Sequence, residues 1–148
     1  MEVNVPVYRR RPLEDLKEAV TRVQWLLNAI QVSFNDAYKN QVEEKYKSYF
    51  TLDDTLVAHL GYITFRKYLP DKPHPFGMLL RVMALSQCRF IVKFELYVGK
   101  LNSLSNKVED LVPRFCSAIP QVGIKKPTLF ADNFYSTFGV CDKLSRST

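Results

Sequence analysis

"GMLLRVMALSQCRFIVKFELYVG", running from Gly77 to Gly99, is the stretch on which the fold turns. Its opening part, Gly77–Leu85, is almost unbroken apolar, which fits a strand buried on both faces. Its closing part, Arg89–Gly99, is rich in Phe, Ile, Val and Tyr, residues that suit a pleated surface. Only Ser86-Gln87-Cys88 separates the two parts, so the spacing predicts an antiparallel hairpin.

Upstream of this hairpin, "SYFTLDDTLVAHLGYITFRKYLP" mixes Thr, Tyr, Phe and Ile in small pieces with Gly61 as a break, which predicts short strands. "LPDKPHPFG" holds three prolines and a glycine within nine residues and reads as a loop. Nearer the N-terminus, Pro12, Glu14 and Asp15 suit the first turn of a helix. Leu16, Val20, Val23, Leu27, Ile30 and Phe34 then recur at steps of four and three, an amphipathic helical pattern. The stripe is expected to face the core, with a seam for a partner helix as the alternative. Tyr38, Val42 and Tyr46, four apart in a polar stretch, predict a second helix or a continuation of the first.

Downstream, "KLNSLSNK" is a polar loop, and Val108, Leu111, Val112, Phe115 and Ile119 have helical spacing. Pro113 falls inside that run, so it must sit early in the helix or kink it. "PQVGIKKP" is a further loop, "TLFA" reads as a short buried strand, and "STFGVCDKLSR" as a helix with Ser136 as its N-cap. The expected architecture is α/β: a helical lead-in over residues 1–50, then a mixed sheet with flanking helices over residues 51–148. A hairpin followed by a crossover to one more strand is compatible with half of a ribonuclease-H-like sheet.

The 148 residues suit one domain, and 47% hydrophobic content with ten Phe and eight Tyr argues against disorder. No apolar run approaches membrane-spanning length, and "MEVNVPVYRRRP" lacks the apolar segment of a secretory signal, so an intracellular chain is expected. Cys88, Cys116 and Cys141 are odd in number, far apart and without a CxxC, which makes zinc an unsuitable expectation and predicts reduced, mostly buried thiols. No Gly-rich phosphate loop is present, so neither a nucleotide-binding enzyme nor another small-molecule substrate is indicated. The net charge of +6 and pI near 9.3 allow attraction to nucleic acid or acidic lipid. Arg9, Arg10, Arg11, Arg66, Lys67, Lys72, Lys125 and Lys126 are the candidate phosphate contacts, with Tyr8 and Tyr68 placed to add stacking. The same charges also suit a plain solubilising surface.

One acidic residue stands out. "TLFADNFYSTF", Thr128–Phe138, sets Asp132 directly after the apolar Leu129-Phe130-Ala131. An unpaired carboxylate is costly to bury, so Asp132 either caps the next turn or holds a metal ion with a second carboxylate.

Three segments together resemble piggyBac-type transposases. Asp53-Asp54 followed by Gly61, Phe65 and Arg66, then Tyr68, Pro70, Lys72, Pro73 and Gly77, resembles that family's acidic pair, Phe-Arg-Gly-Arg-like element and Lys-Pro loop. Tyr97, Gly99 and Lys100 resemble the end of its second strand, and "FADNFYST" its Asp-Asn-aromatic-aromatic element. The resemblance covers roughly Leu52 to Arg146. It implies a partial ribonuclease-H-like domain that acts on DNA with aspartates and magnesium, since hard cations prefer oxygen ligands. It also implies a nuclear location.

The resemblance assigns the family's second catalytic aspartate to Asp132. It places the first eight residues after Gly77, directly before a serine; that position is Leu85, followed by Ser86. The third lies beyond Thr148. Asp53 and Asp54, on a different strand, offer themselves as replacement ligands but read rather as solvated charge. The expectation is therefore a catalytically inactive, decayed or domesticated transposable element-derived protein, in which Asp132 is vestigial. Magnesium is the cofactor of the family, and none is expected to serve here. Residual non-specific DNA binding is the expected function; the alternatives are association with itself or another protein through the Leu16–Phe34 helix, or a transposon relic without function.

Overall fold

The computed structural model describes residues 13–61, 63, 65–99, 104–119 and 127–146, with the side chains of residues 13, 15, 16 and 19 excepted. In order, the elements are α1 (Leu13–Gln41), a 3-10 turn (Glu44–Tyr46), β1 (Tyr49–Ala58), β2 (Lys67–Tyr68), β3 (Phe76–Leu85), β4 (Ile91–Leu96), α2 (Val108–Cys116), β5 (Thr128–Ala131) and α3 (Phe138–Ser145). The expected mixed sheet with flanking helices is what forms.

β3 is the hub of the sheet. It pairs antiparallel with β1 along one side, and with β2 and then β4 along the other. β1 in turn pairs in parallel with β5, which closes that end of the sheet as an edge. The predicted hairpin joins β3 to β4. Arg89, at φ 57°, supplies the left-handed residue that the turn needs, and its N–H donates to the Leu85 carbonyl at 2.8 Å. Gly77 is required at the other end of β3, since a Cβ there would lie 2.3 Å from the Val57 carbonyl oxygen. The close approach of β1 and β3 leaves no room for a side chain.

Several elements differ from expectation, each for a physical reason. Residues 49–58 form one continuous ten-residue strand rather than short pieces, because pairing with β3 along its whole length overrides the weak local signals. β3 buries one face completely at Leu79, Arg81, Met83 and Leu85, while the other face is half-buried. β5 is an edge strand and not a buried one, with Phe130 51% exposed. α3 is capped by Thr137, whose hydroxyl accepts from the Val140 N–H, while the Ser136 hydroxyl donates back to the carbonyls of Ala131 and Asp132. Pro113 is the sixth residue of α2, and the helix continues past it with the Ser117 N–H on the Pro113 carbonyl. The thiols are free, as expected, but Cys88 and Cys141 are exposed and only Cys116 is half-buried.

α1 is one helix as far as Gln41. Only its second half meets the sheet, where the Phe34 ring packs against Phe90 and Phe94, and Tyr38 is buried at 2% exposure. Gln31 closes the open edge of β4: its Nε2 donates to the Val92 carbonyl at 2.6 Å, and its Oε1 accepts from the Phe94 N–H at 3.1 Å. This substitutes for a neighbouring strand and blocks edge pairing. The expectation that the whole stripe faces the core is corrected for Val23 and Ile30, both of which lie exposed.

The core lies between the sheet and the two short helices. Phe50, Leu52, Met83 and Leu85 from the sheet meet Leu111 and Phe115 of α2. The most deeply buried charge of this layer, Arg81, is paired. Glu95 accepts from Arg114 at 2.9 and 3.1 Å and from Arg81 at 3.4 Å. Arg81, 5% exposed, also reaches Asn106 at 3.0 Å and lies over the Tyr97 ring.

Candidate functional site

The alternation of β1 sorts its residues between two faces. Phe50 and Leu52 point into the core, so Asp54 follows them inward while Thr51 and Asp53 face outward. On β5, Leu129 and Ala131 pack on the core, and Phe130 faces outward with Asp132 two residues on. The parallel register runs Tyr49↔Thr128, Phe50↔Leu129, Thr51↔Phe130, Leu52↔Ala131. Carried one step past the end of the ladder, this register sets Asp53 level with Asp132. Both residues are exposed.

The register therefore brings Asp53, and not position 85, to the side of Asp132. Leu85 is wholly buried and pairs with Phe50, three residues from Asp53 along β1 and on the opposite face of the sheet. A carboxylate there would enter the core between Phe50 and Met83 and could not reach Asp132. The resemblance sets the family's first aspartate at position 85, where this chain has Leu85; the register sets Asp53 nearer to Asp132. The sequence offered Asp53 and Asp54 as replacement ligands but favoured solvated charge, because it does not reveal which strand β5 pairs with.

Backbone N–H groups hold both outer carboxylates. Asp53 Oδ1 accepts from the Asp54 N–H at 2.7 Å, and Asp132 Oδ1 from the Tyr135 N–H at 3.2 Å. The second contact is the local capping expected of Asp-Asn before a turn. Each carboxylate keeps its other oxygen for a ligand. Beneath them, Tyr135 is 2% exposed and its hydroxyl donates to Asp54 Oδ1 at 2.5 Å. Burial raises the Asp54 carboxyl above its ordinary value, against the opposing pull of the Tyr135 hydrogen bond and the Arg81 charge. Burial and that same bond raise the Tyr135 hydroxyl. Two exposed carboxylates side by side fit a hard divalent cation, which magnesium sites commonly complete with water and phosphate oxygens. Among the described residues no group of three or more His, Cys, Asp or Glu converges on one point.

The basic candidates divide. Arg9, Arg10, Arg11, Lys125 and Lys126 lie outside the described residues, as does Tyr8. Lys67 lies on β2, at the Gly77 end of β3, with Arg66 directly before it and Lys72 in the loop that follows. Arg66 is exposed; its guanidinium donates to the Leu60 and Gly61 carbonyls and sits 5.0 Å from the centre of the Phe76 ring. Lys67 lies 4.3 Å over Tyr97. Tyr68 and Phe76 stack with ring centres 4.8 Å apart and remain 59% and 40% exposed. Since β2 lies level with Ala58, it is roughly 17 Å along the sheet from Asp53 by strand rise.

Comparison with known proteins bears on the family and the fold. The family model described as Transposase IS4 matches residues 14–148, nearly the whole chain and across the boundary drawn at residue 50. The chain belongs to the transposase IS4 family. Among solved structures, this transposase-family chain is similar to a piggyBac transposase in a synaptic complex with hairpin DNA, at a TM-score of 0.58 and 21% identity. The match covers 66% of the chain and 20% of that transposase, so the likeness is one of fold over a part of the larger protein. No curated protein matches the chain in sequence. Among the described residues no helix is long and apolar enough to cross a membrane.

Proposed function

We propose that this chain is a transposase-derived domain that binds DNA and holds a divalent cation between Asp53 and Asp132. The observation that carries this reading is the β1–β5 register, which sets two exposed carboxylates side by side on a transposase-family fold. A bound magnesium ion would supply positive charge for phosphate oxygens. The chain's part is to offer oxygen ligands and to hold them in place. Arg66 and Lys67, with the stacked Tyr68 and Phe76, form the phosphate and base contacts of a DNA-binding surface. A two-ion cleavage site needs more oxygen ligands than this pair provides, so binding without strand cleavage is the reading for this chain alone. The nucleus is the matching location.

A labelled DNA duplex titrated across a salt series, with and without magnesium, tests this. The proposal expects steep salt dependence, a shallower slope for Arg66→Glu/Lys67→Glu, and a magnesium effect that Asp53→Asn removes. Binding indifferent to salt, or a magnesium effect that survives in Asp53→Asn, would contradict it.

A second reading has its own observation. Along α1, Val23, Leu26 and Ile30, spaced three and four apart on one face, all lie exposed, Leu26 at 53%. An apolar helix surface of this kind suits a helical partner or a second copy of the chain. Sedimentation at high concentration decides the second case, where a monomer would count against self-association.

A further inference from the structure

Two like charges on neighbouring strands repel, so a pair of cation ligands needs something that sets its spacing. The β1–β5 ladder stops at Leu52↔Ala131, one residue short of Asp53 and Asp132. What ties the strands beyond that point is a side-chain contact. The N–H that holds Asp53 belongs to Asp54, and the N–H that holds Asp132 belongs to Tyr135. These two supporting residues are joined directly, the Tyr135 hydroxyl donating to the Asp54 carboxylate. The contacts form a chain from one outer carboxylate to the other through Asp53, Asp54, Tyr135 and Asp132.

The link is anchored at both ends. The Tyr135 ring is packed in the core and meets Phe134 edge-on at 5.0 Å. Asp54 sits opposite Arg81 across the β1–β3 ladder, and the Arg81 side chain is itself held by Glu95 and Asn106. Neither partner is free to follow a wandering carboxylate.

We propose that the Tyr135 hydroxyl bonded to the Asp54 carboxylate is a positioning latch, which fixes the separation of Asp53 and Asp132 for a divalent cation. The inference rests on the cation-binding reading above. Neither latch residue touches the ion. They act through the backbone N–H groups they present, as outer-shell partners of metal ligands do.

The test is Mn2+ binding by the full chain, followed by electron paramagnetic resonance of the free ion, beside thermal melting of each variant. Tyr135→Phe removes only the hydroxyl and leaves every formal charge in place. It is expected to weaken Mn2+ binding about tenfold while the protein stays folded. Asp54→Asn and Asp54→Ala lose the same charge, but only the asparagine keeps an acceptor oxygen for Tyr135. The alanine variant is expected to bind Mn2+ several-fold more weakly than the asparagine variant, and this comparison decides the matter if Tyr135→Phe fails to fold. A purely structural role would lower the melting temperature and leave the affinity of the folded protein unchanged. Asp53→Asn separates the two claims. If it abolishes binding while Tyr135→Phe binds normally, the latch is wrong and the carboxylate pair stands. If the unchanged chain binds no Mn2+, both fall.

Discussion

The two faces of this sheet treat carboxylates in opposite ways. On the core face, Glu95 is met by Arg114 and Arg81, and its desolvation is offset by three hydrogen bonds. On the outer face, Asp53 and Asp132 stand next to each other and receive only one backbone N–H apiece. The first arrangement carries its own counter-charges. The second keeps an unneutralised pair of negative charges, which costs stability. Placing like charges together without a cationic side chain between them leaves room for a positive ligand, and that contrast supports the cation-binding reading.

The largest effect that can break this comparison comes from Leu85→Asp. If position 85 belonged to the metal site, an aspartate there would create or strengthen Mn2+ binding. The structure predicts instead an uncompensated charge beside Phe50 and Met83, a loss of more than about 4 kcal/mol in chemical denaturation, and no gain in Mn2+ affinity. Next is Glu95→Gln, which strands Arg81 and Arg114 in the core. Denaturation should show a loss of about 3–5 kcal/mol. Gly77→Ala, which drives a Cβ into the Val57 carbonyl, should cost about 1–3 kcal/mol by the same measurement.

On the outer face the sign reverses. Asp53→Asn relieves repulsion, so the metal-free protein should gain a few tenths to about 1 kcal/mol, while stabilisation by added Mn2+ disappears. A loss of metal-free stability on this change would remove the argument from unrelieved charge. The smallest effect concerns Lys93, whose ammonium donates to the Arg114 carbonyl at 2.9 Å. Burial lowers its pKa below the ordinary 10.5. The folded state thus holds this proton less firmly than the unfolded chain, so stability should rise as pH increases from the lowered value towards 10.5. Lys93→Met should flatten that rise in denaturant midpoints measured across the alkaline range.

What was legible in the sequence was mostly local. The Gly77–Gly99 hairpin, both short helices and the Asp132 turn followed from spacing and turn residues. The partner of Asp132 did not, because strand neighbours far apart in the chain leave no local mark. Only the parallel pairing of β1 with β5 reveals Asp53. The resemblance, which set the first aspartate at Leu85, pointed to a different strand for the same reason. Asp54, read from the sequence as solvated charge, is instead half-buried on the core face, because the alternation of the continuous strand β1 turns it inward, where a carboxylate must find a donor. Tyr135 is that donor, 81 residues away. The α1 stripe showed which face of the helix is apolar and could not show how far the sheet extends beneath it.

The most direct measurement is calorimetric titration of Mn2+ into the chain and into Asp53→Asn and Asp132→Asn. The account predicts a single binding event in the unchanged chain that either substitution weakens by at least about tenfold. Binding that survives both substitutions, or is absent from the folded unchanged chain, would contradict the assignment of Asp53 and Asp132 as a cation-holding pair.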